Sequence, residues 1–243
     1  MGEYLRRFYR ERMHAAGLVS FRVAIEESDL FIFAARELLD EARSSLARHR
    51  ADLEEFITRQ PRFRTSFKPY TVTEGSPPVV RLMAESAAKV GVGPMAAVAG
   101  AIAELVGQDL EPLSPEVVVE NGGDIYIRSA RSRRVGVFAG ESPLSDHLAL
   151  EIPPTPTGGL GVCTSSATVG PSYSAGGADA ALVVAESAAL ADAAASALGN
   201  RAKSPAHIEE ALAAVAVIEG VIGCLVIIGE HLGVQGDLEL TRT

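Results

Sequence analysis

The sequence predicts an α+β fold, a largely antiparallel sheet with helices on one face, and three observations carry that prediction. Short strand-like runs follow one another through the middle of the chain: EVVVE, DIYIRS, RRVGVFAG, HLALEI and GLGVCTSS. Other segments switch to apolar residues spaced at three and four, the period of a half-buried helix. Strand runs and helix pairs occur in each half, so two similar halves are expected. With 243 residues, 47% of them hydrophobic, the chain can bury a full core, and one domain over residues 1–243 is expected.

The elements follow in order. YLRRFYRERM and LVSFRVAIE alternate partially and read as a hairpin through Ala15, Ala16 and Gly17, with LFIFAA as a third apolar strand. Between Arg36 and Arg59, the residues Leu38, Leu39, Ala42, Leu46, Leu53, Phe56 and Ile57 mark the apolar stripe of a helix that Pro61 ends. PPVVRLMAESAAKVGVG starts at a proline pair and stops in glycines, a second helix. Pro94 opens a third, PMAAVAGAIAELVG, whose alanines and glycines at 96–103 let another backbone come close, in the core or across a dimer contact. PPTPTGG at 153–159 is a loop, and DAALVVAES a strand. ALADAAASALGN is a helix closed by Gly199 and Asn200, and SPAHIEEALAAVAVIE a longer one with Ser204 as N-cap. GCLVIIGEHLGVQGDLEL closes the chain as a hairpin. ALAAVAVIEGVIGCLVIIG, 211–229, is long enough to span a bilayer. However, Glu219 and Gly220 interrupt it where alanine gives way to β-branched residues, so it reads as helix, turn and buried strand.

Charge and composition exclude several function classes. A net charge of −9 offers no field for a phosphate backbone, which argues against nucleic-acid binding. The N-terminus carries charge where a signal peptide needs an apolar run, so a cytoplasmic location with no membrane association is expected. Two cysteines, Cys163 and Cys224, in such a compartment are expected to be free thiols. The five histidines are scattered, none at ligand spacing for zinc.

Three stretches could carry chemistry. In VVVENGGDIYI, Gly122 and Gly123 either make a tight bend or leave room for a ligand that Asn121 and Asp124 would bind. In GVCTSSATVG, Cys163 is either an inert core residue or a thiolate stabilised by Thr164, Ser165 and Ser166. In ESAALADAAASALGN, Asp192 and Ser196 share a helical face and either hold a hard cation such as Mg²⁺ or face solvent.

Taken together, these stretches resemble the ApbE-like superfamily, which includes the FAD:protein FMN transferases (thiamine biosynthesis lipoprotein relatives). The likeness is to a cytosolic branch found in anaerobic bacteria and methanogens. The blocks SDLFIFA, GVGPMAAVAGAIAELVG, VENGGDIYI, GVCTSSATVGPS, GADAALVVAES, ALADAAASALGN and GCLVIIGEHLGVQGDLEL carry the likeness over nearly the whole chain. The resemblance implies a T-fold. It also implies an FAD site at Asn121, Gly122, Gly123 and Asp124, and an Mg²⁺ site at Asp192, with Ser196 in place of the family's threonine. The family's His-Ile-Ile-Asp-Pro block should fall between Ser166 and Ala178, where this chain reads ATVGPSYSAGG without histidine or carboxylate, which argues against FMN transfer. Within the branch the cysteine belongs to the pattern, and relatives are linked to persulfide transfer toward homocysteine. The implied role for Cys163 is then a sulfur relay between donor and acceptor proteins, with Thr164, Ser165 and Ser166 as its neighbours. Ala167 and Pro171 depart from the branch, which usually has glycine and histidine there. The acidic surface and the alanine-glycine helix also suggest a homo-oligomer.

Overall fold

The computed structural model describes residues 8–155, 158–168 and 176–243. The first half runs β1 (Val19–Ile25), β2 (Ser28–Ala34), α1 (Leu39–Arg59), α2 (Arg62–Thr65), α3 (Pro78–Val90), α4 (Val98–Leu110), β3 (Val117–Asn121) and β4 (Asp124–Arg128). After β5 (Arg133–Gly136) and β6 (Leu148–Ile152), the second half runs β7 (Leu160–Ser165), β8 (Ala180–Ala185), α5 (Ala188–Arg201), α6 (Ile208–Ala216), β9 (Val221–Ile228) and β10 (His231–Gly236). β11 (Glu239–Arg242) ends the chain. Each half is therefore strand pair, helices, strand pair. The halves join at β4 and β7 in one eight-stranded sheet, ordered β1-β2-β3-β4-β7-β8-β9-β10, with every neighbouring pair antiparallel.

Side-chain alternation decides what each face meets. Along β8, Ala181, Val183 and Ala185 join the core under the helices. Ala180, Leu182 and Val184 join a second core on the opposite face. Both faces are dry, which is why this strand reads as one continuous apolar run. Helices cover the first face, as expected. The second face is closed by a small sheet ordered β11-β6-β5, so the middle strands split between two sheets.

The helices start and stop for local reasons. Pro78 sits in the first turn of α3, and Gly91 ends it in the left-handed conformation, φ 77°. Ser187 caps α5 by accepting the Leu190 N–H. The small residues of α4 are consumed inside the chain: Gly100, Ala101, Ala103 and Gly107 are all buried. Ala99 and Leu105 of the same helix are half-buried.

Three expectations are corrected. YLRRFYRERM does not form a strand over its described part; Phe8–Arg12 is a short 3₁₀ turn, and the first hairpin pairs β1 with β2 instead. The cause is Arg10, whose guanidinium binds Asp29 and the buried Glu120 and so pins the segment to the sheet. α5 runs through Gly199 and Asn200 to Arg201, with the Ala202 N–H closing onto Leu198. Ser204 precedes the 3₁₀ turn Pro205–His207, its hydroxyl bonding the His207 ring rather than the backbone. The 211–229 stretch divides into α6, a turn and β9, as its composition indicates. No single helix among the described residues is long and apolar enough to cross a membrane.

Candidate functional site

The site is built where the β3–β4 turn meets the first turns of α4 and α5. Gly122 (φ 72°) and Gly123 (φ 104°) both take left-handed backbone, as a two-residue hairpin requires. The glycines therefore make the bend, and Asn121 and Asp124 are its closing pair. Alternation turns both side chains toward the helices. Asn121 donates to the Ala99 carbonyl at 3.1 Å. Asp124 is buried, and its Oδ1 has no hydrogen-bond partner. On the opposite face Glu120 takes the Gly123 N–H at 2.8 Å, which locks the turn.

β7 pairs with β4 so that Ile125 faces Val162, and Cys163 therefore sits beside Asp124. Above them α5 passes, and its Ala188 carbonyl accepts the Cys163 thiol at 3.3 Å. One turn further, Asp192 Oδ2 accepts the Gly100 N–H of α4 at 2.9 Å. The reverse contact comes from Glu104 of α4, which accepts the Ser187 hydroxyl at 2.7 Å and the Ala189 N–H of α5 at 3.1 Å. Each helix thus lends a carboxylate to the other's N-terminus, where free N–H groups and the helix dipole favour negative charge. Asp192 has a structural task whatever else it does.

Loss of solvent raises both candidate carboxyls, Asp124 buried and Asp192 half-buried. Asp192 is pushed up to about 7, against the pull of the Gly100 and Ala99 N–H groups. Asp124 rises well above the usual carboxylate range, first from burial and then from the neighbouring Asp192 charge. A cation between them would remove that penalty. The donors are oxygens, and Ser196 shares the α5 face of Asp192, so the set suits a hard ion. Among the described residues no three His, Cys, Asp or Glu side chains gather as a metal cage. Two carboxylates with waters and a phosphate is the usual way Mg²⁺ is held, so the residues present fit that ion.

The thiol expectation is corrected. Cys163 is fully buried, and its pKa is raised by burial, with Asp124 and Asp192 pushing the same way. Its hydrogen bond goes out to a carbonyl; among the described residues none comes in from Thr164, Ser165 or Ser166. Thr164 and Ser165 are half-buried, while Ser166 accepts the Thr168 N–H. Such surroundings disfavour a thiolate. Cys224 is likewise buried and raised to about 11. Both cysteines are free. A disulfide-exchange reagent is therefore expected to find no reactive thiol in the native protein and two after denaturation; rapid native labelling of Cys163 would contradict the burial.

Sequence reasoning found Asn121, Asp124 and Asp192, and the fold brings them together. It missed Glu104 and Glu120. Glu104 is a lone carboxylate in the apolar run GAIAELVG, and that isolation was the available signal, whereas Glu120 shares EVVVEN with Glu116 and has no such mark. The segment that lacks the family's histidine block falls largely on residues 169–175, which lie outside the described residues.

This architecture, two strand-helix-strand halves sharing one antiparallel sheet with carboxylates at the helix starts, defines a member of the ApbE-like superfamily. The chain belongs to the family described as AbpE bacteria, whose model matches residues 10–225. It is 42% identical to a UPF0280 protein of Methanopyrus kandleri, over 90% of this chain and 91% of that one. A UPF0280 protein of Methanocella arvoryzae is 43% identical, over 88% and 87%. Among solved structures, the fold is similar to the flavinyl transferase ApbE of Pseudomonas stutzeri, with TM-score 0.52, 15% identity and coverage of 93% and 94%. It is also similar to an ApbE protein of Thermotoga maritima, with TM-score 0.54, 13% identity and coverage of 89% and 96%. At these identities the structural likeness speaks for the fold.

Proposed function

We propose that this protein binds FAD together with Mg²⁺, as a flavin-transferase-like protein whose nucleotide site lies between the β3–β4 turn and the starts of α4 and α5. The observation that carries this reading is the buried Asp124 Oδ1 without a partner, set beside Asp192. An orphaned buried carboxylate oxygen costs stability unless a ligand satisfies it. Asp124 and Asp192, with Ser196 on the same helical face, would hold the cation, and the cation would neutralise a diphosphate. Asn121, fixed by its bond to Ala99, sets the position of the turn. A side chain at Gly123 would meet nothing within 4 Å, which leaves the turn backbone open to an approaching ligand.

Two features favour the flavin reading over a sulfur relay. The solved structures of similar fold include the flavinyl transferase ApbE of Pseudomonas stutzeri, and the thiol needed for the relay is sealed. The test is thermal unfolding with FAD, with MgCl₂ and with both. The pair together is expected to raise Tm beyond the sum of the single additions. At about one hundred times Kd the stabilisation should approach 2.7 kcal/mol. A Tm indifferent to FAD and Mg²⁺ together, with no heat of binding by calorimetry, would overturn the reading.

A further inference from the structure

From Gln60 to Thr73 the chain reads QPRFRTSFKPYTVT, with three cationic side chains and no carboxylate, on a protein whose net charge is −9. Arg62, Arg64 and Lys68 are exposed, and between them stands Phe67, 85% exposed. A phenyl ring so far into water is unusual for a large apolar residue. The segment is held firmly. Phe63 is fully buried and packs edge-on against Phe56 and Tyr70, at centroid distances of 5.1 and 5.5 Å. The Tyr70 hydroxyl donates to Gln60 Oε1 at 2.8 Å, tying the two ends of the segment together. Ser66 Oγ accepts the Lys68 N–H at 3.2 Å and donates to the Lys68 carbonyl at 2.7 Å, folding the tip on which Phe67 sits. Gly93 presses on that tip so closely that a Cβ there would lie 1.8 Å from the Ser66 oxygen. The ring is thus displayed by a braced turn.

We propose that the Arg62–Phe67–Lys68 tip is a docking surface for an acidic segment of a partner protein, with Phe67 as the apolar anchor and the two cations pairing with carboxylates. Arg64 contributes less, since the exposed Glu27 already lies within its electrostatic range. A rigid aromatic flanked by basic side chains is the composition of an interface hot spot: the anchor loses little entropy on docking, and the charges speed the encounter. The sign of the patch selects an acidic partner. Its size selects a short segment, because an extended polyanion such as nucleic acid or an anionic membrane would also face the acidic remainder of the molecule, beyond the roughly 8 Å reach of the local cations.

The probe is a fluorescein-labelled decapeptide alternating glutamate with leucine, read by anisotropy against the full chain. Binding is expected to weaken at least tenfold in Phe67→Ala and in Arg62→Glu/Lys68→Glu, and to fall with added salt. A lysine-for-glutamate peptide should not bind. Because these side chains are exposed, both variants should keep the wild-type Tm and the wild-type response to FAD with Mg²⁺. Equal affinity in wild type and Phe67→Ala, or no peptide binding at all, would overturn the proposal. So would Phe67-dependent sedimentation with phosphatidylserine vesicles in the absence of peptide binding, which would assign the tip to a lipid surface. Concentration-dependent self-association lost in Phe67→Ala would assign it to a second copy of this chain.

Discussion

Asp124→Asn is expected to stabilise the cation-free protein and to abolish its response to Mg²⁺. Near pH 8 the gain should be about 1–2 kcal/mol, or roughly 3–6 °C in Tm for a chain of this size. The reason is linkage. The Asp192 carboxyl is raised from 3.8 to about 7 in the folded protein, and Asp124 is raised well above its ordinary value. From about pH 4 to 7 the native state therefore holds protons that the unfolded chain has released, and stability falls as pH rises through that window. It is fully present below the unfolded value and lost above the folded one. Asparagine has nearly the same shape and no charge to bury, so it removes the Asp124 share of the loss. Near pH 4, where the wild-type carboxyl is neutral, the variant and wild type should match. In the wild type, saturating Mg²⁺ should flatten the fall with pH, because the cation takes the place of the protons. Melting curves across pH, with MgCl₂ and with EDTA, read all of this. A wild-type Tm that does not change between pH 5 and 8, or a Mg²⁺ response that survives in Asp124→Asn, would remove the cation from this site.

Much of this site was legible because local sequence rules and tertiary structure agree there. Adjacent glycines between two apolar strands force a turn, and the residues closing it must lie on one face. Thus Asn121 and Asp124 could be paired before any coordinates. Asp192 and Ser196 share a face by helical period alone. What the sequence could not show is which helix Asp192 meets. Its partners are main-chain N–H groups of α4, and backbone groups leave no mark on composition. Cys163 fails for a related reason. A strand followed by hydroxyls looks like an edge opening to solvent, yet α5 lies across it and supplies an acceptor where donors were expected. The second sheet was hidden because β5, β6 and β11 have the same strand character as their neighbours, and only pairing separates them. The N-terminal segment departs from the strand its alternation predicts because Arg10 makes long-range ion pairs, which alternation does not register.

Gly100→Ala is expected to be among the most damaging single-methyl changes in the protein, and it tests whether the site depends on how closely the two helices approach. A Cβ at position 100 would lie 2.2 Å from the Ala188 carbonyl oxygen and 2.8 Å from Asp192 Cβ. On the other side of the same residue, a Cβ at Gly161 would lie 2.4 Å from Ala188 Cα. Ala188 is thus wedged between α4 and β7, and backbone atoms cannot rotate away as a flexible side chain could. Relief requires α5 to move, which breaks the two reciprocal carboxylate caps and the packing beneath them. Overpacking of this kind costs about 3 kcal/mol, a fall in Tm on the order of 10 °C. Moving α5 also carries Asp192 away from Asp124, so the variant should lose Mg²⁺-dependent stabilisation even where it remains folded. Gly136→Ala serves as the control, since a Cβ there meets nothing within 4 Å, and its Tm should stay within about 2 °C of wild type. A Gly100→Ala protein as stable as that control would mean that α4 and α5 can separate at little cost, and the two carboxylates would then not be held as a site.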